Sequence, residues 1–182
     1  MRNDYLILIS IVGVFFCGCV PNERSIAQID LINPHFEQGS LGWKFYFDES
    51  NNKVTPSGGI LNSGQVALAV TPLHQLDGLS QQIDPAGATE IQLSAYGRAK
   101  GTDIQSTLRI ECIDPEMDSE EENYGQLAES ESAPCTTDDT WLLMTVTSKI
   151  PKGTKVVCVF ACVNGKDGEA SFDDFVVTRK RD

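Results

Sequence analysis

The sequence predicts an all-β protein in which two antiparallel sheets pack face to face as a sandwich. Apolar and polar residues alternate over short segments, as expected for strands with one face in the core and one face towards solvent. Segments rich in Gly, Pro, Asn, Asp and Ser separate these strands at fairly regular intervals, and we find no convincing helical periodicity and no internal repeat. Short, regularly spaced strands with such turns are typical of β-sandwiches.

Length and charge limit the possible functions. With 182 residues, 41% of them hydrophobic, the chain can form one domain with a substantial core. Its formal net charge is −12, whereas nucleic-acid binding depends on clustered Lys and Arg side chains that neutralise phosphates. We therefore expect a single folded domain without a nucleic-acid partner.

The N-terminus has the features of an export signal. Arg2 precedes an apolar run over residues 5–16, which is short for a membrane span and suits the core of a signal peptide. The following Phe16, Cys17, Gly18 and Cys19 resemble a bacterial lipobox, although leucine is usual where Phe16 stands. We predict a cleaved signal peptide over residues 1–18 and lipidation of Cys19; ordinary secretion and an uncleaved anchor are the alternatives.

This prediction places the protein in the bacterial cell envelope. Residues 19–28 would form a tether, and residues 29–182 would form the β-sandwich domain. The lipid on Cys19 would hold the domain at the outer membrane or cell surface; without it the protein would be secreted.

The first half of the domain contains five predicted strands. They cover residues 26–32, 43–47, 60–71, 78–83 and 89–98. The clearest pattern is that of residues 89–98, where Ile91, Leu93 and Ala95 alternate with polar or aromatic neighbours. Residues 48–59, rich in Ser, Asn, Pro and Gly, are predicted to form a loop.

Four more strands are predicted in the second half. They cover residues 105–113, 141–150, 155–163 and 170–178. The run 155–163 is apolar on both faces, which indicates a central strand. The acidic residues of 114–134 have no Lys or Arg among them and lack the spacing of a calcium-binding loop, so we expect a solvated loop there.

Two motifs carry a resemblance to a known family. Residues 33–43 read NPHFEQGSLGW, a turn with Phe36 beside an acid, two glycines and then Trp43, and residues 172–177 read FDDFVV. Together they resemble the first and last segments of the jelly-roll carbohydrate-binding modules of bacterial cellulases and xylanases, in the galactose-binding-like superfamily. The resemblance covers most of the mature chain and implies a jelly-roll sandwich that binds a polysaccharide.

The resemblance also implies a structural calcium ion that ties the first segment to the last strand. Its carboxylate ligands would be Glu37 and Asp173, with Asp174 as their neighbour, and backbone carbonyls would complete the coordination. The alternative is that these carboxylates only cap turns or accept backbone hydrogen bonds.

A row of side chains on one face of residues 89–98 is the predicted sugar-binding surface. Gln92, Tyr96 and Arg98 point to the same side, and neighbouring strands could add Arg109 and Glu111. The alternative for Tyr96 is a half-buried structural ring. Trp43 and Trp141 each open a strand, and we expect both of them in the core rather than at the ligand.

The four remaining cysteines are disulfide candidates, because export leads to an oxidising compartment. They are Cys112, Cys135, Cys158 and Cys162. In a regular strand, Cys158 and Cys162 lie roughly 13 Å apart, beyond the reach of a disulfide. Each would therefore pair with Cys112 or Cys135; the alternative is buried thiols.

No arrangement of residues points to catalysis. The two histidines, His35 and His74, fall in turn-like segments, and no acid pair is singled out by an apolar pocket. We predict a non-catalytic domain that weakly binds a polysaccharide or cell-envelope glycan. The alternative is a structural or adhesive module of the envelope that binds a protein partner and no sugar.

Overall fold

The computed structural model describes residues 26–46, 52–55, 57–60, 63–71, 75–117, 125–136 and 139–181. Within these ranges the regular secondary structure consists of strands, and no α-helix is formed. The first five strands are β1 (Ile26–Ile29), β2 (Lys44–Phe45), β3 (Lys53–Thr55), β4 (Gln65–Val70) and β5 (Leu76–Ile83). The others are β6 (Glu90–Thr102), β7 (Gln105–Ile113), β8 (Gln126–Glu131), β9 (Leu142–Lys149), β10 (Val156–Asn164) and β11 (Asp167–Lys180).

The strands form two antiparallel sheets. Sheet A has the order β3-β4-β11-β6-β9, with β1 also paired to β11. Sheet B has the order β2-β5-β10-β7-β8. The predicted all-β sandwich of two antiparallel sheets is confirmed, and β10 is a central strand as its apolar sequence predicted.

The core lies between the sheets and follows the predicted alternation. On β6, Ile91, Leu93 and Ala95 are fully buried, and on β7 the same is true of Leu108 and Ile110. Each of these residues has neighbours in the strand that point to the opposite face. Both sheets therefore have one face in the core and one outer face, and a functional surface could form on either outer face.

The opening segment packs against the last strand. Phe36 and Trp43 are buried with ring centroids 5.3 Å apart, and Phe175 of β11 lies 5.7 Å from Phe36 and 4.8 Å from Trp43. The indole Nε1 of Trp43 donates a hydrogen bond to the carbonyl of Asn33 at 3.1 Å. These three aromatic rings thus attach the opening segment of the domain to its last strand.

Two strands lie in segments that were predicted as loops. β3 lies within residues 48–59, and β8 lies within the acidic stretch 114–134. Both are edge strands with few buried residues, so their sequences need no strict apolar alternation. Strand β1 begins at Ile26 and pairs with β11, so the sandwich includes three residues of the predicted tether.

The signal peptide, Cys19 and most of the tether lie outside the described residues, as does His74. Among the residues that the structure does describe, no helix is long and apolar enough to cross a membrane.

The prediction of two disulfides is wrong for this structure, in which all four cysteines are free and buried. Cys112 and Cys135 belong to the core between the sheets, whereas Cys158 and Cys162 lie with Phe160 on the other face of β10. Register explains the separation, because Cys112 is paired with Val157 and therefore points away from Cys158. The two pairs are on opposite faces of sheet B.

Candidate functional site

The structure does not bring the five predicted sugar-binding residues together. Gln92, Tyr96 and Arg98 lie on the outer face of β6 in sheet A, whereas Arg109 and Glu111 lie on the outer face of β7 in sheet B. Strands β6 and β7 are consecutive, but the turn between them crosses from one sheet to the other. The expectation that neighbouring strands would add Arg109 and Glu111 to the row is therefore corrected.

On the outer face of sheet A, the Arg98 guanidinium is held by its neighbours. It lies 4.7 Å from the ring centroid of Trp141, its Nη2 donates to Gln65 at 3.2 Å, and its Nη1 lies 3.3 Å from Asp139. Tyr96, in the middle of the sheet, is half-buried. Among the described residues of this face, the rings of Tyr96 and Trp141 are half-buried and the Arg98 guanidinium is already paired.

The two tryptophans differ from each other. Trp43 is 6% exposed in the core, as predicted. Trp141 is half-buried on the outer face beside Arg98, so the core prediction for it is wrong. Strand alternation explains this, because Met144 and Val146 face the core and Trp141 has the opposite parity.

The outer face of sheet B combines an exposed ring with a positioned cation. Tyr46, which follows β2, is 52% exposed, and its ring centroid lies 5.3 Å from that of the buried Phe160 on β10. The Arg109 guanidinium lies 5.1 Å from the centroid of the same Phe160 ring. We call the surface formed by Tyr46, Phe160, Arg109, Glu111 and Glu129 the sheet B face.

Two carboxylates orient the cation of the sheet B face. Arg109 Nε lies 3.5 Å from Glu111 Oε1, and Arg109 Nη1 lies 3.5 Å from Glu129 Oε1. Burial raises the pKa of Glu111; Arg109 lowers it, and Glu129 raises it further. The result is a fixed guanidinium with acceptor oxygens on either side, in a partly desolvated setting.

A small hollow lies beside the Tyr46 ring. Its volume is about 80 Å³, and its lining includes the side chains of Tyr46, Arg109, Phe160 and Cys162. Burial raises the pKa of the Tyr46 hydroxyl, and a hydrogen bond with the Ser80 side chain opposes that shift. The Tyr46 ring is therefore held by its contact with Phe160 and by the hydrogen bond with Ser80.

Sequence reasoning missed Tyr46 as a site residue. Its position on the sheet B face depends on the two-residue strand β2, whose pairing with β5 places Lys44 opposite Ser80. A strand this short has no periodicity to read. The available signal was the aromatic cluster of Trp43, Phe45, Tyr46 and Phe47, which indicated an aromatic-rich segment but not a face.

The predicted calcium ligands are only partly brought together. Asp173 is fully buried, with its carboxylate accepting from Ser63 Oγ at 2.5 Å and from the Asp174 backbone N–H at 2.6 Å. Glu37 is exposed, and Asp174 instead pairs with His35 at 3.2 Å. Among the described residues, no three His, Cys, Asp or Glu side chains are grouped as a metal site.

The surroundings of Asp173 nevertheless have the chemistry of a hard-cation site. Burial raises the pKa of Asp173, while the bonds from Ser63 and the Asp174 backbone lower it. A Cβ added at Gly59 would clash with both the Asp173 carboxylate and the carbonyl of Gly64, so these two oxygens converge at a glycine. Asp173 and nearby carbonyls therefore fit calcium, whereas Glu37 does not join them.

Comparisons with solved structures define the class of fold. A family 61 carbohydrate-binding module in complex with β-1,4-galactotriose matches with a TM-score of 0.55 and 19% identity, over 81% of this chain and 95% of that chain. The carbohydrate-binding and catalytic modules of a Clostridium thermocellum xylanase, complexed with xylohexaose, match with a TM-score of 0.60 and 17% identity, over 85% and 29% of the two chains.

A third match is an adhesin domain of Lys-gingipain from Porphyromonas gingivalis, with a TM-score of 0.50 and 19% identity over 85% of this chain and 99% of that chain. No family model and no curated protein matches the sequence. The structural neighbours are mostly carbohydrate-binding modules. The chain has the jelly-roll fold of these modules, as the sequence motifs indicated.

Proposed function

We propose that this protein is a non-catalytic glycan-binding domain and that it binds through the sheet B face. The observation that carries this proposal is the exposed Tyr46 ring, supported by Phe160 and adjacent to the fixed Arg109 guanidinium. The ligands of two structural neighbours, β-1,4-galactotriose and xylohexaose, support a neutral oligosaccharide as the ligand class.

Each group on the sheet B face has a role in sugar recognition. The Tyr46 ring offers an apolar surface on which a pyranose ring can stack. Arg109 donates hydrogen bonds to sugar hydroxyls, and the oxygens of Glu111 and Glu129 accept from them. Of the two aromatic rings named on this face, Tyr46 is exposed and Phe160 is buried. A sugar can therefore stack on one ring, and we expect the binding to be weak.

Matched tyrosine variants test which face binds. We expect Tyr46→Ala to lower the affinity of the purified domain about tenfold, or about 1.4 kcal/mol, for any glycan that the parent binds. Isothermal titration against plant, algal and bacterial glycans measures this. Tyr96→Ala, on the outer face of sheet A, is the control and should retain the parent affinity. The reverse result would assign binding to sheet A.

We also propose that calcium binds at Asp173 and stabilises the junction between the opening segment and β11. The ion would compensate the negative charge of a fully buried carboxylate. Calcium should raise the melting temperature of the parent domain but not that of Asp173→Asn, whereas Glu37→Gln should respond like the parent. An equal response of the parent and Asp173→Asn to calcium would contradict this assignment.

Lipid anchoring at Cys19 is the third part of the proposal. It would hold the domain at the cell surface, within reach of envelope or external polysaccharides. Metabolic labelling with palmitate should mark the full-length protein and not Cys19→Ala. Labelling of both proteins would show that Cys19 is not the acceptor.

The alternative is an adhesive module with a protein partner. Leu142 and Leu143 on the edge strand β9 are 42% and 60% exposed, and one structural neighbour is an adhesin domain. If this alternative is right, the parent binds no glycan but captures a specific envelope protein. Leu143→Asp should then abolish that capture. Saturable glycan binding that Tyr46→Ala removes would favour the first proposal.

A further inference from the structure

A larger cleft lies at the end of the sandwich where β6 turns into β7. Its volume is about 710 Å³, within the range of small-molecule sites. The buried side chains of Ala99 and Ile104 form apolar parts of its lining. The polar lining residues are Lys100, Asp103, Gln105, Thr136 and Asp139. We call this cavity the end cleft; none of its lining residues belongs to the sheet B face.

Among the described residues, both carboxylates in the lining of the end cleft are paired with cations. Lys166 lies 2.5 Å from the Asp103 carboxylate. The Asp139 carboxylate lies 3.3 Å from Arg98 and 3.6 Å from Lys100. The pairing of Asp103 and Asp139 with cations favours a neutral, hydroxyl-rich ligand over an ion at these lining residues.

Backbone contacts hold the walls of the end cleft in place. The Asp139 N–H donates to the Ala99 carbonyl at 2.9 Å, and Cys135 next to Thr136 exchanges two backbone hydrogen bonds with Ser106. Gly101 has φ 140°, and a Cβ there would clash with the carbonyl of Asp167. The polar side chains on the rim therefore project from a preformed scaffold, which lowers the entropic cost of binding.

We propose that the end cleft is a second saccharide subsite, which binds one neutral sugar residue through hydrogen bonds and without aromatic stacking. This inference rests on the proposed glycan binding and adds a separate site to it. Exposed Lys100, Gln105 and Thr136 donate to or accept from the sugar hydroxyls, while Ala99 and Ile104 contact its carbon atoms.

The position of Gln105 relates the end cleft to the sheet B face. Gln105 and Arg109 have the same parity on β7 and lie four residues apart, which corresponds to roughly 13 Å along the strand. An oligosaccharide that lies along β7 can therefore extend from the Tyr46 ring towards the end cleft. A monosaccharide would occupy the two sites independently.

Backbone amide NMR of the purified domain tests the subsite. The probes are methyl β-galactoside, methyl β-xyloside, β-1,4-galactotriose and xylohexaose, with galacturonic acid as the charged comparison. We expect at least one neutral probe to shift the amides of Lys100 and Gln105 in a saturable way, and to do so equally in Tyr46→Ala. Galacturonic acid should bind no more tightly than the neutral probes.

A matched pair of double variants makes the test specific. Gln105→Ala with Thr136→Ala removes two exposed polar groups of the cleft and should weaken the cleft titration at least fivefold, without changing the shifts around Tyr46. Gln38→Ala with Thr145→Ala changes exposed residues elsewhere and should match the parent.

The outcomes separate the two proposals. Shifts around Tyr46 with unmoved cleft amides under every probe would overturn the subsite and leave the proposed function standing. Cleft shifts caused by the methyl glycosides that vanish in Tyr46→Ala would also overturn it, because a single sugar residue should occupy the end cleft independently of Tyr46. The absence of any shift in either region would overturn both proposals.

Discussion

On the outer face of each sheet an arginine lies beside an aromatic ring, but the two arrangements differ in what the ring supports. On sheet A the Arg98 guanidinium lies 4.7 Å from the half-buried Trp141 ring, and on sheet B the Arg109 guanidinium lies 5.1 Å from the Phe160 ring. Phe160 is 2% exposed and is part of a central strand, so it supports the groups around it from within the sheet. Trp141 precedes the edge strand β9.

This difference decides which aromatic ring a ligand can reach. On sheet B the buried Phe160 supports both Arg109 and the exposed ring of Tyr46. On sheet A the Arg98 side chain is bonded to Gln65 and Asp139, and Tyr96 is half-buried. The proposed site therefore depends on an exposed ring beside the arginine, which sheet B has at Tyr46.

The largest expected difference concerns stability. Phe160→Ala should lower the free energy of unfolding by about 3 kcal/mol, because it leaves a cavity under Tyr46 and Arg109. Trp141→Ala should cost only about 1 kcal/mol, because the ring is half-buried. Urea unfolding measures both. Equal losses would show that the two rings support their faces equally.

A smaller difference is expected for conservative arginine variants. Arg109→Lys should weaken glycan binding about fivefold, equivalent to about 1 kcal/mol, because an ammonium group cannot span Glu111 and Glu129 as the guanidinium does. Arg98→Lys should leave the affinity unchanged. A loss of affinity in Arg98→Lys alone would move the site to sheet A.

The smallest effect concerns pH. Because burial raises the pKa of Glu111 above its ordinary value of 4.5, ionisation of this carboxyl costs stability as the pH rises through that raised pKa. Glu111→Gln should therefore be more stable than the parent at about pH 7, by less than about 1 kcal/mol in the free energy of unfolding. This difference should shrink towards about pH 4. Urea unfolding at both pH values measures it, and a variant less stable than the parent near neutral pH would show that the pairing with Arg109 outweighs burial.

Local alternation predicted much of the fold. The inward positions of Val66, Ile91 and Leu108 follow from the period of two in their strands. Trp43 was predicted in the core, and the structure adds its packing against Phe36 and Phe175. Strands β3 and β8 were missed because edge strands need little apolar surface.

The candidate site could be predicted only in part. Alternation correctly placed Tyr96 and Arg98 on one outer face and Arg109 and Glu111 on another row. It could not show that these rows belong to different sheets, nor that Tyr46 joins the second row. The cysteine pairs were mispredicted for a related reason, since chain export suggests oxidation but says nothing about which faces the thiols share.

The sequence by itself determined the fold class and the faces of the strands, because these depend on local periodicity and on short motifs. Only the tertiary structure decided which rows of outward-facing side chains lie next to each other. Sheet assignment depends on long-range pairing, such as that of β10 with β5 and β7, which is not encoded in any local pattern. That pairing brings Tyr46, Phe160 and Arg109 onto one surface and leaves Tyr96 and Arg98 on the other side of the molecule.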